Sequence, residues 1–226
     1  MKSKPNIPII TIDGPSGTGK GTLCHKLAKH LNWHYLDSGV LYRALAYQIQ
    51  LNNIALTDTH TIVTIAHDLT LHFHADPAGA HAVILNGQTI DVELRTESCS
   101  QMASKIAAIP EIRTALTQKQ RAFAQMPGLI TDGRDMGTVI FPDACLKIYL
   151  DAKQAERAKR RYQQLCHRGI SITIEEVMHE LAERDNRDCA RQHAPLKAAA
   201  DAIYIDTTNL SSEQLVAMVL QIIHNS

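Results

Sequence analysis

The residues best suited to chemistry are Gly14-Pro15-Ser16-Gly17-Thr18-Gly19-Lys20-Gly21-Thr22. A short apolar, β-branched run precedes them and an amphipathic stretch follows, which is the setting a phosphate-binding loop requires. Glycines let successive backbone N–H groups turn inward onto one anion. The start of a helix adds partial positive charge, and Lys20 adds a compact ammonium for terminal phosphates. The loop departs from the usual pattern after its lysine. Gly21 has no hydroxyl to offer a metal, so the nearest one is Thr22, a lesser candidate as metal ligand. A bare glycine turn packing helix on strand is the alternative reading, and nine positions in context weigh against it.

Three further groups follow. Leu36-Asp37-Ser38-Gly39 precedes Tyr42-Arg43; Thr131-Asp132-Gly133-Arg134-Asp135-Met136-Gly137-Thr138 lies mid-chain; Arg184-Asp185-Asn186-Arg187-Asp188-Cys189-Ala190-Arg191 comes late. In the last, Arg184, Arg187, Asp188 and Arg191 fall at i, i+3, i+4 and i+7, one face of a helix. The three arginines repel one another there, with one aspartate among them, and an anionic ligand would turn that repulsion into attraction. The alternative is a solvated surface patch. A guanidinium forks onto two phosphate oxygens in a way lysine cannot. Asp132 ends an apolar run, where it serves either a divalent cation or the cap of the next turn.

The elements that must position these groups alternate along the chain. Strands are predicted at Ile7–Ile12, Trp33–Leu36, Leu129–Thr131, Lys147–Leu150 and Ala202–Asp206. Helices are predicted at Lys20–Leu31, Val40–Gln50, Ser98–Ala108, Glu111–Gln125, Ala152–Arg168, Ile174–Arg191 and Ser211–Ile223. Strand-helix alternation indicates a parallel sheet flanked by helices. Leu56–Glu97 reads differently, as a β-rich insert. It has strands near Leu69–Phe73 and Ala82–Leu85, and an Asn86-Gly87 type I′ turn into Gln88–Val92. His72, His74 and His81 could share a strand face, but solvated insert residues are the simpler reading than a metal site. The basic run Arg157-Ala158-Lys159-Arg160-Arg161 reads as surface charge.

Composition limits the partners. The 226 residues carry 23 basic and 23 acidic side chains, which disfavours a polyanion or membrane-surface binder. Aromatics are 4%, few for stacking nucleic-acid bases. No run approaches the ~18 apolar residues of a membrane span. No signal peptide is read, and five scattered cysteines suit a reduced, cytoplasmic protein better than a disulfide framework.

Taken together, the loop, the Leu36-Asp37-Ser38-Gly39 piece, the Gly133-Arg134-Asp135-Met136-Gly137 piece and the late arginine cluster resemble the bacterial cytidylate kinases, members of the nucleoside monophosphate kinase family of P-loop proteins. The likeness runs from about Ile9 to Leu220. It implies one α/β domain over residues 1–226: a three-layer P-loop core with a parallel sheet. It also implies a nucleoside-monophosphate-binding part with its β-rich insert at about 38–113, and a helical lid at about 170–194. It implies transfer of the γ-phosphoryl of ATP, with Mg2+, to CMP or dCMP by a monomer.

By the same resemblance the ATP site is Gly14, Pro15, Ser16, Gly17, Thr18, Gly19, Lys20, Gly21 and Thr22. The catalytic groups are Lys20, Arg134, Arg184, Arg191 and Asp132, with Asp132 holding magnesium, directly or through water. Ser38, Tyr42, Arg43, Ser104, Arg113, Arg134, Asp135, Arg184 and Asp188 would bind CMP. Arg43 and Arg134 would clamp its phosphate, Arg184 and Asp188 would reach its sugar, and Ser104, Arg113 and Asp135 would read its base. Cytosine offers an N4 amino group to a carboxylate and N3 and O2 to a guanidinium. Ser38 reads equally as an N-cap before the Val40 helix, Tyr42 as a core tyrosine, and Ser104 as a helix-surface serine. Rival readings are a kinase for UMP or shikimate, or a P-loop protein that senses or hydrolyses ATP without transfer.

Overall fold

The computed structural model describes residues 7–75, 81–90, 92–167 and 169–225; the side chains of residues 72–75, 81, 82 and 95 lie outside it too. The elements are β1 (Ile9–Asp13), α1 (Lys20–Leu31), β2 (His34–Asp37), α2 (Ser38–Leu51), α3 (Thr59–Asp68), β3 (Leu71–Ala75), β4 (His81–Leu85), β5 (Gln88–Thr89), α4 (Glu97–Ile106), α5 (Pro110–Ala122), β6 (Leu129–Gly133), β7 (Leu146–Asp151), α6 (Gln154–Cys166), α7 (Ile174–Ala190), β8 (Ile203–Asp206) and α8 (Ser212–His224). Two compact units divide them, Met1–Asp37 with Gln120–Ser226, and Ser38–Lys119.

The first unit holds a five-stranded sheet in the order β2-β6-β1-β7-β8, parallel throughout. Strands buried on both faces read as continuous aliphatic runs. Accordingly Ile10, Ile12, Ile130, Ile148 and Leu150 pack with Leu23, Cys24 and Leu27 of α1 and Leu215 and Val219 of α8. A smaller cluster joins Ala158 and Leu165 of α6 to Val177 and Leu181 of α7. Capping boxes fix two helix starts, Thr173 with Glu176 for α7 and Ser211 with Gln214 for α8. Register places Asp37 beside Asp132 on β2 and β6, and Asp13 beside Gly133 on β1 and β6. Three strands thus deliver carboxylates to one sheet edge, the carboxyl end where ligands of parallel α/β sheets bind.

In the second unit α2 packs on α3 and α4, and β3-β4-β5 form a small antiparallel sheet. Asn86 and Gly87 have φ of 49° and 84°, as a type I′ turn demands. Three expectations change. The insert is not β-rich throughout, since α3 lies within it, started by the Asp58 side chain accepting from the Thr61 N–H at 3.1 Å. The strand expected to Val92 ends at Thr89 and gives way to a 3-10 turn at Glu93–Arg95. Ser38 is the first residue of α2 rather than a cap ahead of Val40. The His72, His74 and His81 side chains fall outside the description. Among the described residues no helix is long and apolar enough to cross a membrane.

Gly14 connects fold to site. Its φ is 143°, and a Cβ there would lie 2.0 Å from the Leu150 carbonyl oxygen on β7. Backbone on a central strand cannot yield, so Gly14→Ala is expected to cost about 2–3 kcal/mol or more by overpacking. Thermal denaturation measures this; an unchanged melting temperature contradicts it.

Candidate active site

The loop between β1 and α1 is built as its sequence requires. Gly17 and Gly19 have φ of 82° and 93°, a region costly for any residue with a Cβ. A Cβ on Gly17 would press to 2.9 Å on the Arg157 carbonyl oxygen. Lys20 is buried, and its Nζ donates to the Pro15 carbonyl at 2.6 Å, while Thr18 Oγ1 donates to the same oxygen at 3.1 Å. Burial first, then the Arg134 charge, lowers the Lys20 ammonium to about 7, against the opposing pull of Asp132. An anion beside Nζ would restore its charge. Gly21 and Thr22 are exposed on the first turn of α1.

Arg134 follows β6 and ties three segments together. Its Nε donates to Asp188 Oδ2 at 2.8 Å, Nη2 to Ser16 Oγ at 2.7 Å and Nη1 to the Gly133 carbonyl at 3.1 Å. Asp188, on the last turn of α7, is almost wholly buried and also accepts from Arg191, the residue just past the helix. Burial alone would raise the Asp188 carboxyl; the guanidiniums of Arg134, Arg191 and Arg184 outweigh it and hold it below the ordinary value. Arg134, Arg184 and Arg191 therefore gather around one carboxylate. Arg187 pairs with Glu183, one turn earlier on the same helix, at 3.7 Å.

Arg157 overturns the surface-charge reading of its basic run. It is buried, donates to the Ser16 carbonyl at 3.1 Å and the Ala152 carbonyl at 3.0 Å, and pairs with Asp185 of α7 at 2.7 Å. It supports the loop from beneath and anchors the helix that carries Arg184 and Asp188. Arg160 is likewise engaged, with Glu156 at 3.0 Å and the Thr207 carbonyl at 2.6 Å.

Asp132 is buried and accepts from the Tyr35 hydroxyl at 2.8 Å. Burial, then the neighbouring charge of Asp37, raises it to about 7 despite Lys20. Two crowded carboxylates on adjacent strand ends suit a hard divalent cation, which relieves both the desolvation and the repulsion. Among the described residues no three His, Cys, Asp or Glu side chains form a complete cage.

Asp13 and Asp135, both buried, flank the wide helical turn Met136–Ile140. Asp13 accepts the Met136 N–H at 2.9 Å and the Gly137 N–H at 2.8 Å. In the second unit Ser38, Tyr42, Ser104 and Arg113 are buried and Arg43 is half-buried. Arg113 lies over the Tyr42 ring at 5.8 Å and donates to the Ala107 carbonyl at 3.1 Å. Ser104 is thus no surface serine.

Comparison with known proteins fixes the family. The cytidylate kinase family model matches residues 10–225. The chain belongs to the cytidylate kinase family. A cytidylate kinase of Nitrosococcus oceani is 51% identical over 95% of this chain and 95% of its own length. Cytidylate kinases of Aeromonas salmonicida and Klebsiella pneumoniae are 49% and 48% identical, over 94% and 96% of this chain and 92% and 95% of theirs. Membership in the cytidylate kinase family accounts for the parallel sheet and phosphate loop together. It confirms the resemblance drawn from the Gly133–Gly137 piece and the α/β P-loop kinase architecture.

Proposed function

We propose that the protein transfers the γ-phosphoryl group of ATP to the 5′-phosphate of CMP or dCMP, giving CDP or dCDP and ADP. The identity of about half the chain to cytidylate kinases, end to end, carries this reading. The buried Lys20 and the arginines around Asp188 support it.

The acceptor phosphate is already a competent oxygen nucleophile, so no general base is required. Catalysis comes from in-line positioning and charge neutralisation. The loop Gly14–Thr22 binds the ATP phosphates through backbone N–H groups and Lys20. Arg134 and Arg43 grip the acceptor phosphate. Arg184 and Arg191 neutralise charge in transfer, and Arg184 with Asp188 reaches the sugar, with Ser38 and Tyr42 beside the acceptor. Asp132, seconded by Asp37, would hold magnesium, with Thr22 the lesser donor. When bound, that ion neutralises β- and γ-phosphate oxygens. Movement of the 170–194 segment over the phosphates would exclude water and suppress ATP hydrolysis.

Asp135 accepts from the cytosine N4 amino group, and Arg113 donates to N3 or O2, with Ser104 alongside. Uracil sets an oxygen opposite the carboxylate and leaves buried polar groups unpaired, a cost of about 1–3 kcal/mol for each. We place the enzyme in the cytoplasm as a monomer acting on free nucleotides. A coupled assay with CMP, dCMP, UMP and AMP tests the proposal. CMP and dCMP should be preferred at least about tenfold over UMP and AMP. Equal rates for UMP or AMP would remove the cytosine assignment, and CMP-independent phosphate release would indicate an ATPase.

A further inference from the structure

The first turn after Asp135 is capped from an unusual place. Asp135 stands at the N-cap of the Met136–Ile140 turn, where an aspartate ordinarily accepts N–H groups of the turn it precedes. Its side chain makes no capping bond. Asp13, at the end of the central strand β1, takes that role instead. One of its oxygens accepts the Met136 N–H at 2.9 Å and the other the Gly137 N–H at 2.8 Å. The Asp13 carboxylate is committed on both oxygens and lies outside every group assigned above to nucleotide or metal.

We infer that Asp13 is a positioning residue for acceptor recognition: by capping the turn in place of Asp135, it keeps the Asp135 carboxylate directed to the base. The inference rests on the cytosine reading of Asp135. Two physical points support it. First, the N–H groups of a first helical turn need acceptors; if Asp13 did not supply them, the side chain at the ordinary capping position is that of Asp135. Second, the carboxylates repel. Burial chiefly, with a contribution from the Asp135 charge, raises Asp13 to about 6 even though two N–H groups and Lys20 oppose the shift. An Asp135 carboxylate turned to the same N–H groups would meet the Asp13 charge already placed there. Arg134 precedes Asp135 directly, so the same anchor fixes the backbone carrying the guanidinium that bonds Ser16 and Asp188.

The test is a double-mutant cycle in the acceptor assay, begun with the wild-type enzyme. Asp13→Asn keeps one acceptor oxygen and turns an NH2 group toward the second N–H. It is expected to raise KM for CMP about tenfold and to lower the CMP-over-UMP preference by a similar factor, with KM for ATP within about twofold. Asp135→Asn should abolish most of that preference by itself. Adding Asp13→Asn to it should then lower the preference no further, because Asp13 acts through Asp135. Asp13→Ala, which removes both acceptors, should lose at least as much CMP preference as Asp13→Asn. Additive losses in the cycle, or a parallel rise in KM for ATP and CMP, overturn the inference. So does failure of both Asp13 variants to fold, which would make the residue structural only. A wild-type enzyme without preference for CMP would instead refute the reading of Asp135 on which the inference stands.

Discussion

Lys20→Met is expected to lower kcat by about 10^2–10^3-fold while leaving the fold intact. The side chains are similar in length, so the exchange removes a charge and three donors without opening a cavity. The loss is that of a preorganised cation aimed at transferring phosphate oxygens inside a water-poor site, about 3–4 kcal/mol, and each ~1.4 kcal/mol is tenfold in rate. The fold loses little, because the Pro15 carbonyl keeps the Thr18 hydroxyl as donor. Stability should even rise at neutral pH. Burial lowers the folded-state Lys20 to about 7 from 10.5, so between those values the unfolded chain binds more protons than the folded one. Wild-type stability therefore climbs as pH rises through that window. Methionine has no such dependence. The variant should melt above wild type at pH 7, and the difference should fade toward pH 10. Steady-state kinetics and thermal melts at both pH values check the two halves separately. Turnover within tenfold of wild type would refute the role of Lys20.

What the sequence made readable follows from how local the controlling physics is. Helix α1 was expected at Lys20–Leu31 and is found there. A glycine loop before it and apolar residues at helical spacing both act within a few residues. The sheet was readable for the same reason, since strands covered on both faces have little choice but aliphatic runs. Helix α3 was missed because it buries only Ile62 and Ala66 along its length, and its threonines suit strands equally well.

Within the site, residues proposed to touch nucleotide were more legible than those that act by touching one another. Lys20, Arg134 and Arg191 carry motif chemistry on their faces. Arg157 looked like one charge in a solvated run; only tertiary structure shows it buried beneath Ser16 and paired with Asp185. Asp13 was indistinguishable from any aspartate ending a strand, because its partners, the Met136 and Gly137 N–H groups, lie far along the chain. Arg187 shows the converse. Helical spacing put it with Arg184 and Arg191, but an acidic residue four positions earlier competes for it. Spacing defines a face; it does not choose the partner.

Arg134→Lys is the second large effect, and it separates charge from geometry. The substitution keeps the positive charge, so a role in bulk electrostatics alone would survive it. The structure asks for more. Three N–H vectors of one planar group serve Asp188, Ser16 and the Gly133 carbonyl at once, and a lysine ammonium on a flexible stem cannot hold that fork. The expected result is a fall of about 10^2-fold or more in kcat/KM for CMP, from lost bidentate grip and misplaced neighbours. Stability should drop by about 1–3 kcal/mol, the worth of hydrogen bonds to a buried charge, because Asp188 keeps Arg191 but loses its second partner. The pH dependence gives an independent sign. Asp188 is held below its usual pKa in the fold, so its contribution to stability is present above the unfolded value of 3.8 and is lost as pH falls through the folded one. Removing one guanidinium from beside it moves the folded pKa upward, so the variant should unfold at a higher pH than wild type on acid titration. Arg134→Lys with wild-type kcat/KM for CMP and an unshifted acid midpoint would show that neither the fork nor its bond to Asp188 matters.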